Sequence, residues 1–329
     1  MTALNKNRWS ISILTFILTL ALLTIVQVKP RQPLLLGERL FLYGGWIQVL
    51  LFSVYAGFIG WKMSDREDRK IWRGRIWMLF SIVFFSQLIL GICIDTIFLM
   101  SGKLHFPIPG LILAGPVYRF EIGFMPILLI STILLSGPAW CSQLCYFGAF
   151  DHYASTRTKR RPKYTQKHKN SIRISVLILI LSSAFILRML NINEPYVSVL
   201  AVLFGIIGIG FMLFFSRKKG VMTHCSSFCP IGTVVSVSKK VSPFRFQLNA
   251  DCTQCMKCIK ECKYDALNIS NIKKGQIGYN CTYCGDCLSA CHHQALEYKF
   301  PGLSRFNAEN LWIIITVTLH ACFMAIARI

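Results

Sequence analysis

CTQCMKCIKECKYDAL, residues 252–267, sets four cysteines in the order C-x2-C-x2-C-x3-C, and CTYCGDCLSACHHQAL, residues 281–296, repeats that order. Thiolates are soft ligands that suit iron–sulfur clusters. Three cysteines this close wrap three corners of a cubane, and the fourth ligates the cluster of the other run. The spacing therefore predicts one [4Fe–4S] cluster on Cys252, Cys255, Cys258 and Cys291, and a second on Cys281, Cys284, Cys287 and Cys262. Such crossing ties two short repeats into one small α+β unit. Ala266 with Leu267, and Ala295 with Leu296, stand at equivalent positions and mark an internal duplication. A pair of four-cysteine zinc sites is the rival reading, but zinc ribbons separate two C-x2-C halves by a longer gap.

The rest of the chain is apolar. Of 329 residues 54% are hydrophobic and 15% charged, well below the roughly 25% charged of a soluble domain. A spanning helix needs about 20 mostly apolar residues, and six segments qualify: 9–28, 41–61, 76–100, 122–137, 174–190 and 196–215. A seventh, 311–327, reads as a further span, with an interfacial helix as the alternative. The first segment mimics a signal peptide, yet KPRQP follows Val28 without a small-residue cleavage site, so it reads as a retained helix. The expected architecture is a polytopic all-α membrane protein of six or seven transmembrane helices with a small two-cluster ferredoxin-like α+β domain. Its expected divisions are 1–240 for the membrane part, 241–300 for the ferredoxin-like part and 301–329 for a C-terminal helix.

The net charge of +22 invites a nucleic-acid reading, but the charges sit in alternate loops. Residues 62–75 hold six Lys or Arg, residues 155–173 hold eight, and Arg217, Lys218 and Lys219 follow the sixth segment. The intervening loops hold few: Lys29, Arg31 and Arg39, then Lys103 and Arg119, then Arg188. Lys and Arg concentrate on the cytoplasmic side, so the N-terminus and the cysteine runs are expected in the cytoplasm of a prokaryotic plasma (inner) membrane. The polybasic run 157–169 lacks any nucleic-acid-binding signature around it, and the excess charge reads as topology plus attraction to anionic headgroups.

Two more cysteine pairs carry a distinctive signal. GPAWCSQLCYFGAFD places Cys141 and Cys145 just past the fourth segment, and THCSSFCPIGTV places Cys225 and Cys229 after the sixth. Both are C-x3-C, and Gly148 or Gly232 stands three residues on. Residues four apart share one helical face, so each pair is expected to present two thiols together at the membrane edge. Together they are candidates for a third redox or metal site; a reversible dithiol, transient copper binding and plain packing are the alternatives.

A polytopic membrane segment with two such pairs, followed by two ferredoxin runs, resembles the NapH/NosR-type membrane polyferredoxins across most of the chain from about Tyr43 to Tyr298. The resemblance implies electron transfer between the quinone pool and redox partner proteins, as one subunit of a larger complex rather than a complete enzyme. Its C-x3-C-P motif is matched fully at 225–230, while Tyr146 replaces the proline after Cys145. The two runs by themselves resemble bacterial two-cluster ferredoxins, in which Pro usually follows the fourth cysteine; here Lys263 and His292 take that place. His292 and His293 read as exposed loop residues, with a ligating or proton-coupled role as the alternative. A copper-handling or redox-sensing membrane protein of the CcoG/NosR type is the rival functional reading. CcoG-type proteins carry a folded C-terminal domain, and only about thirty residues follow the last run here.

No C-x-x-C-H occurs, which disfavours c-type haem. His320 is the only histidine in an apolar segment, which disfavours a multi-haem quinol oxidase. No Gly-rich dinucleotide fingerprint precedes a helix. Asp95 and Glu121 are candidates for proton handling at a quinone, since ionisable groups at membrane depth are functional candidates; pairing of Glu121 with Arg119 is the alternative. Cys93 and Cys322 read as small buried residues.

Overall fold

The computed structural model describes residues 3–30, 33–99, 108–159 and 169–326. Arg31, Lys103 and most of the polybasic run therefore lie outside the described residues. Among the described residues seven helices are long and apolar enough to cross a membrane: Asn7–Val28, Gly44–Met63, Arg66–Cys93, Phe124–Leu144, Asn170–Met189, Glu194–Lys219 and Arg305–Ile326. This is compatible with a multi-pass membrane protein and includes the seventh segment. The described chain forms two compact units, one of residues 1–105 with 303–329 and the other of residues 106–302.

The first unit packs its helices through small residues, as apolar helices do when little but close backbone approach can hold them. A Cβ on Gly60 would fall 2.5 Å from the Thr15 hydroxyl, and Ser12 Oγ donates to the Gly57 carbonyl at 2.8 Å. The region 62–75, expected as a loop, is mostly helix. Asp65 caps the Arg66–Cys93 helix by accepting from the Glu67 N–H at 3.1 Å. Arg66 and Arg69 both turn inward to the buried carboxylate of Glu309, Arg69 at 2.7 Å. Deep in the same unit, fully buried His320 meets the Tyr55 hydroxyl at 3.1 Å.

Three expectations in and beside the spans are corrected. The third helix ends at Cys93, so Asp95 is not inside a span: it is exposed and caps the short turn Thr96–Phe98, accepting from Ile97 N–H at 2.7 Å. Glu121 is exposed, and Arg119 pairs with Glu194 at 3.6 Å instead. Cys93 faces outward at the end of its helix, whereas Cys322 is buried.

In the second unit the spans Phe124–Leu144 and Glu194–Lys219 each run into a cysteine pair, and Asn170–Met189 starts at the same end. Gly137 breaks the first of these helices with φ of +65°, where the Tyr283 ring lies 3.2 Å from any added Cβ. That is a conformation and a proximity that glycine alone meets without strain. A two-stranded antiparallel sheet, β1 (Arg245–Leu248) and β2 (Leu296–Lys299), brackets the two cysteine runs with Phe246 opposite Tyr298.

Left-handed residues recur in register between the runs. Gln254, Met256 and Asp265 in the first match Tyr283, Gly285 and Gln294 in the second, all at positive φ. The duplication is thus carried in the backbone as well as in the cysteines. Left-handed turns swing successive N–H groups toward one side, where they can face an anionic sulfur site.

Candidate metal centres

Each run wraps a cavity. The first is lined by Cys252, Cys255, Cys258 and Cys291 among Leu248, Ile272 and Leu296. The second is lined by Cys262, Cys281, Cys284 and Cys287 with Phe246, Tyr264 and Leu267. Three cysteines of one run meet the fourth of the other in both. Among the described residues no three His, Cys, Asp or Glu side chains converge on one point to hold a single metal ion. The thiols ring a space instead, a disposition that suits a multi-iron cubane better than tetrahedral zinc with Zn–S near 2.3 Å.

The cavity walls are apolar, and burial acts on the thiols accordingly. Burial, then Cys291 and Cys262, push the Cys258 thiol up to about 12. Burial pushes Cys281 up to about 11, and Cys287 rises for the same reason. Thiols held protonated in this way become ligands only when a bound metal deprotonates them. Two N–H···S contacts sit at equivalent places: Ala266 N to Cys262 Sγ at 3.2 Å and Ala295 N to Cys291 Sγ at 3.3 Å. Such bonds to sulfur stabilise the reduced, more negative cluster and tune its potential. Cys255 is exposed and His292 and His293 are exposed, so the first cavity lies nearer solvent.

The C-x3-C pairs take a geometry that spacing alone did not suggest. They do not share a face of an α-helix. Each pair lies in a wide π turn, Trp140–Leu144 and His224–Phe228. The turns close with Cys145 N to Trp140 O and Cys229 N to His224 O, both 2.9 Å. Cys145 and Cys229 then leave the helix in extended conformation and become the N-caps of Tyr146–Thr156 and Pro230–Ser238. A π turn widens the ring by one residue and frequently marks a functional site. Cys145 Sγ accepts N–H groups from Phe147 and Gly148, and Cys229 Sγ accepts them from Ile231 and Gly232. Two sulfurs therefore sit at helix N-termini, where the backbone favours negative charge.

Even so, burial wins. It pushes Cys145 up to about 12, with Cys229 adding to it. Cys225 rises through burial, then through Asp151 and Cys229. The thiols of all four cysteines feel one another. Buried Asp151 reaches across from the first pair's helix to accept the Cys225 N–H at 2.9 Å, and burial lifts its carboxyl to about 6. The two turns thus gather four thiols, Cys145 and Cys229 buried and Cys141 and Cys225 half-buried, with backbone donors aimed at two of them.

The second cavity adjoins the first C-x3-C turn. Tyr264, in its wall, donates its hydroxyl to the Cys141 carbonyl at 2.5 Å. Ser142 Oγ donates to the carbonyl of Thr282, another wall residue, at 3.2 Å. Lys263, in the place of the usual proline, is buried. Its ammonium donates to the Ser155 and Gly220 carbonyls at 3.1 and 3.3 Å, and its own carbonyl receives Met222 N–H at 2.8 Å. Sequence reasoning flagged Lys263 only as a departure, and it missed Asp151, Tyr264 and Arg173. Only Arg173 carried a prior signal, as one of the eight basic residues counted toward topology.

A family model described as a 4Fe-4S binding domain matches residues 119–164 and 198–249. Each matched stretch holds one C-x3-C pair, and both end before Cys252. No curated protein and no solved structure matches the chain. The family match supports an iron–sulfur protein.

Proposed function

We propose that the protein is a membrane-bound iron–sulfur electron-transfer subunit, passing electrons between the quinone pool or a membrane redox partner and a partner protein. Two [4Fe–4S] clusters on the crossed cysteine quartets and a third centre on Cys141, Cys145, Cys225 and Cys229 would form its relay. The observation that carries this reading is the pair of hydrogen bonds from Tyr264 and Ser142, which join the wall of the second cavity to the first C-x3-C turn. The order along the relay is then the membrane-edge thiols, the quartet with Cys281, and the quartet with exposed Cys255, which is placed to serve a soluble partner. Likeness to NapH/NosR-type polyferredoxins, and basic residues in alternate loops, support cysteine runs facing the cytoplasm of a prokaryotic plasma membrane.

The clusters, when bound, supply the one-electron couple. The chain's residues hold it: eight thiols in two apolar cavities, and the N–H groups of Ala266 and Ala295 on sulfur. Iron and acid-labile sulfide analysis with EPR on anaerobically purified protein tests the reading. About eight irons per chain are expected from two [4Fe–4S] clusters, with more where the C-x3-C site is filled. Protein that purifies without iron overturns it.

A further inference from the structure

Arg173 lies four residues into the Lys169–Met189 helix, at the end of the span where the cysteine pairs gather, and is only 3% exposed. Its guanidinium binds the Asn280 side chain and donates from Nη2 to Ser236 Oγ at 3.0 Å. Its Nε–H is buried with no hydrogen-bond partner among the described residues. The guanidinium lies against Gly232, Nη2 being 3.0 Å from where a Cβ would stand, and Gly232 N–H is itself a donor to Cys229 Sγ. The thiols of Cys141, Cys229 and Cys225 lie within its electrostatic reach. Among the described residues no carboxylate pairs with it, and the acidic groups acting on it are the three thiols and the Tyr279 phenol.

An uncompensated buried cation costs several kcal/mol, and arginine is rare in membrane segments without a partner. Neutral amide and hydroxyl acceptors do not cancel a full charge. The thiols of Cys141, Cys225 and Cys229 beside it, once ionised together with Cys145 on a metal centre, do: four thiolates outweigh a doubly positive cluster and leave the site anionic. The two anomalies, a buried cation without a carboxylate and a cluster of thiols toward which Arg173 and Lys239 are turned, then account for each other.

We propose that Arg173 is the internal counter-charge of the four-cysteine centre and holds its reduction potential up. This rests on the reading of Cys141, Cys145, Cys225 and Cys229 as a redox metal site. Arg173 positions charge and does not ligate. A fixed positive charge stabilises the reduced form, which carries one more electron.

Potentiometric EPR of the whole protein, following the signal that Cys225→Ser removes, tests this. Arg173→Gln is expected to shift the ratio of oxidised to reduced centre about tenfold toward oxidised at fixed potential, ~59 mV for one electron. Arg173→Lys, which keeps the charge, is expected within about twofold of the unaltered protein. The double variant Ser236→Ala, Asn280→Ala removes the hydrogen bonds and keeps the charge, and is expected to leave the potential in place. An unmoved potential in Arg173→Gln, or an equal shift in the double variant, overturns the proposal. Should Arg173→Gln fail to assemble, Arg173→Lys decides: an intact centre at the original potential supports it, and loss of the centre overturns it. A parent protein with no signal or iron sensitive to Cys225→Ser refutes the metal-site reading itself, a result separate from a centre that is present and indifferent to Arg173.

Discussion

Tyr264 donates its phenolic hydroxyl to the backbone carbonyl of Cys141 at 2.5 Å, from a position within the wall of the Cys281 cavity. One side chain thus touches two candidate centres at once. Replacing Tyr264 by Phe keeps the ring and removes the bond, at a cost of about 1 kcal/mol. The expected outcome is a slightly lower melting temperature in detergent with unchanged iron content, and weaker magnetic coupling between the membrane-edge signal and the nearer ferredoxin signal. Unchanged coupling would mean that the bond only stabilises the fold.

Crossed ligation has a distinctive mutational pattern. Cys262→Ala, in the first run, is expected to perturb the same EPR signal as Cys281→Ala, in the second. Cys291→Ala is expected to group with Cys252→Ala. Low-temperature EPR of the four variants checks this. Pairing by run instead, Cys262 with Cys252 and Cys291 with Cys281, would sink the crossed assignment.

Lys263 anchors the first run to two buried carbonyls, those of Ser155 and Gly220. Lys263→Met keeps the stem and removes the ammonium, leaving buried acceptors short of a donor, which costs about 1–3 kcal/mol. Thermal unfolding followed by visible absorbance should fall, and Lys263→Pro, which restores the residue common in ferredoxins, should fall at least as far. A proline variant as stable as the parent would show that the ammonium adds nothing.

Gly232 has no room for a side chain. A Cβ there would stand 2.8 Å from the Cys225 carbonyl and 3.0 Å from Arg173 Nη2. Gly232→Ala is expected to open the second C-x3-C turn and remove the centre it helps to hold, with the two ferredoxin signals retained. Iron analysis with EPR checks this, and full occupancy in the alanine variant would contradict the tight turn.

Met256 adopts φ of 61° where its counterpart in the second run is Gly285. A non-glycine residue in that region costs about 1–2 kcal/mol. Met256→Gly is therefore expected to relieve the backbone while uncovering the first cavity, whose wall includes Met256. Faster loss of that cluster's signal in air, at equal or better thermal stability, is the outcome to look for.

What could be read without the fold was local. Apolar runs of spanning length, the doubled C-x2-C-x2-C-x3-C and the two C-x3-C pairs each lie within a few dozen residues, and their periodicity or spacing names the chemistry by itself. The helices Asn7–Val28, Gly44–Met63 and Arg305–Ile326 fall close to where hydropathy put them. Hydropathy misjudged residues whose partners are distant and the point where a helix stops. The 62–75 region looked like a solvated loop because nothing nearby in sequence reveals that Arg66 and Arg69 meet Glu309. Asp95 looked like part of the third span because composition does not show where a helix stops, which Asp95 itself helps to decide by capping the next turn.

The four membrane-edge cysteines divide along the same line. Their presence and pairing stood in the sequence, and the family match falls on the same two stretches. The π turns, the N-cap places of Cys145 and Cys229, and the neighbours Asp151 and Arg173 came only with the tertiary structure. Tyr264 and Cys141 stand 123 residues apart, and no spacing rule reaches that far. Ligand type is a property of side chains and can be read in a row of letters. The charge beside a ligand, the hydrogen bonds on its sulfur and its distance from water depend on which helices pack together, and these decide the potential at which such a centre works.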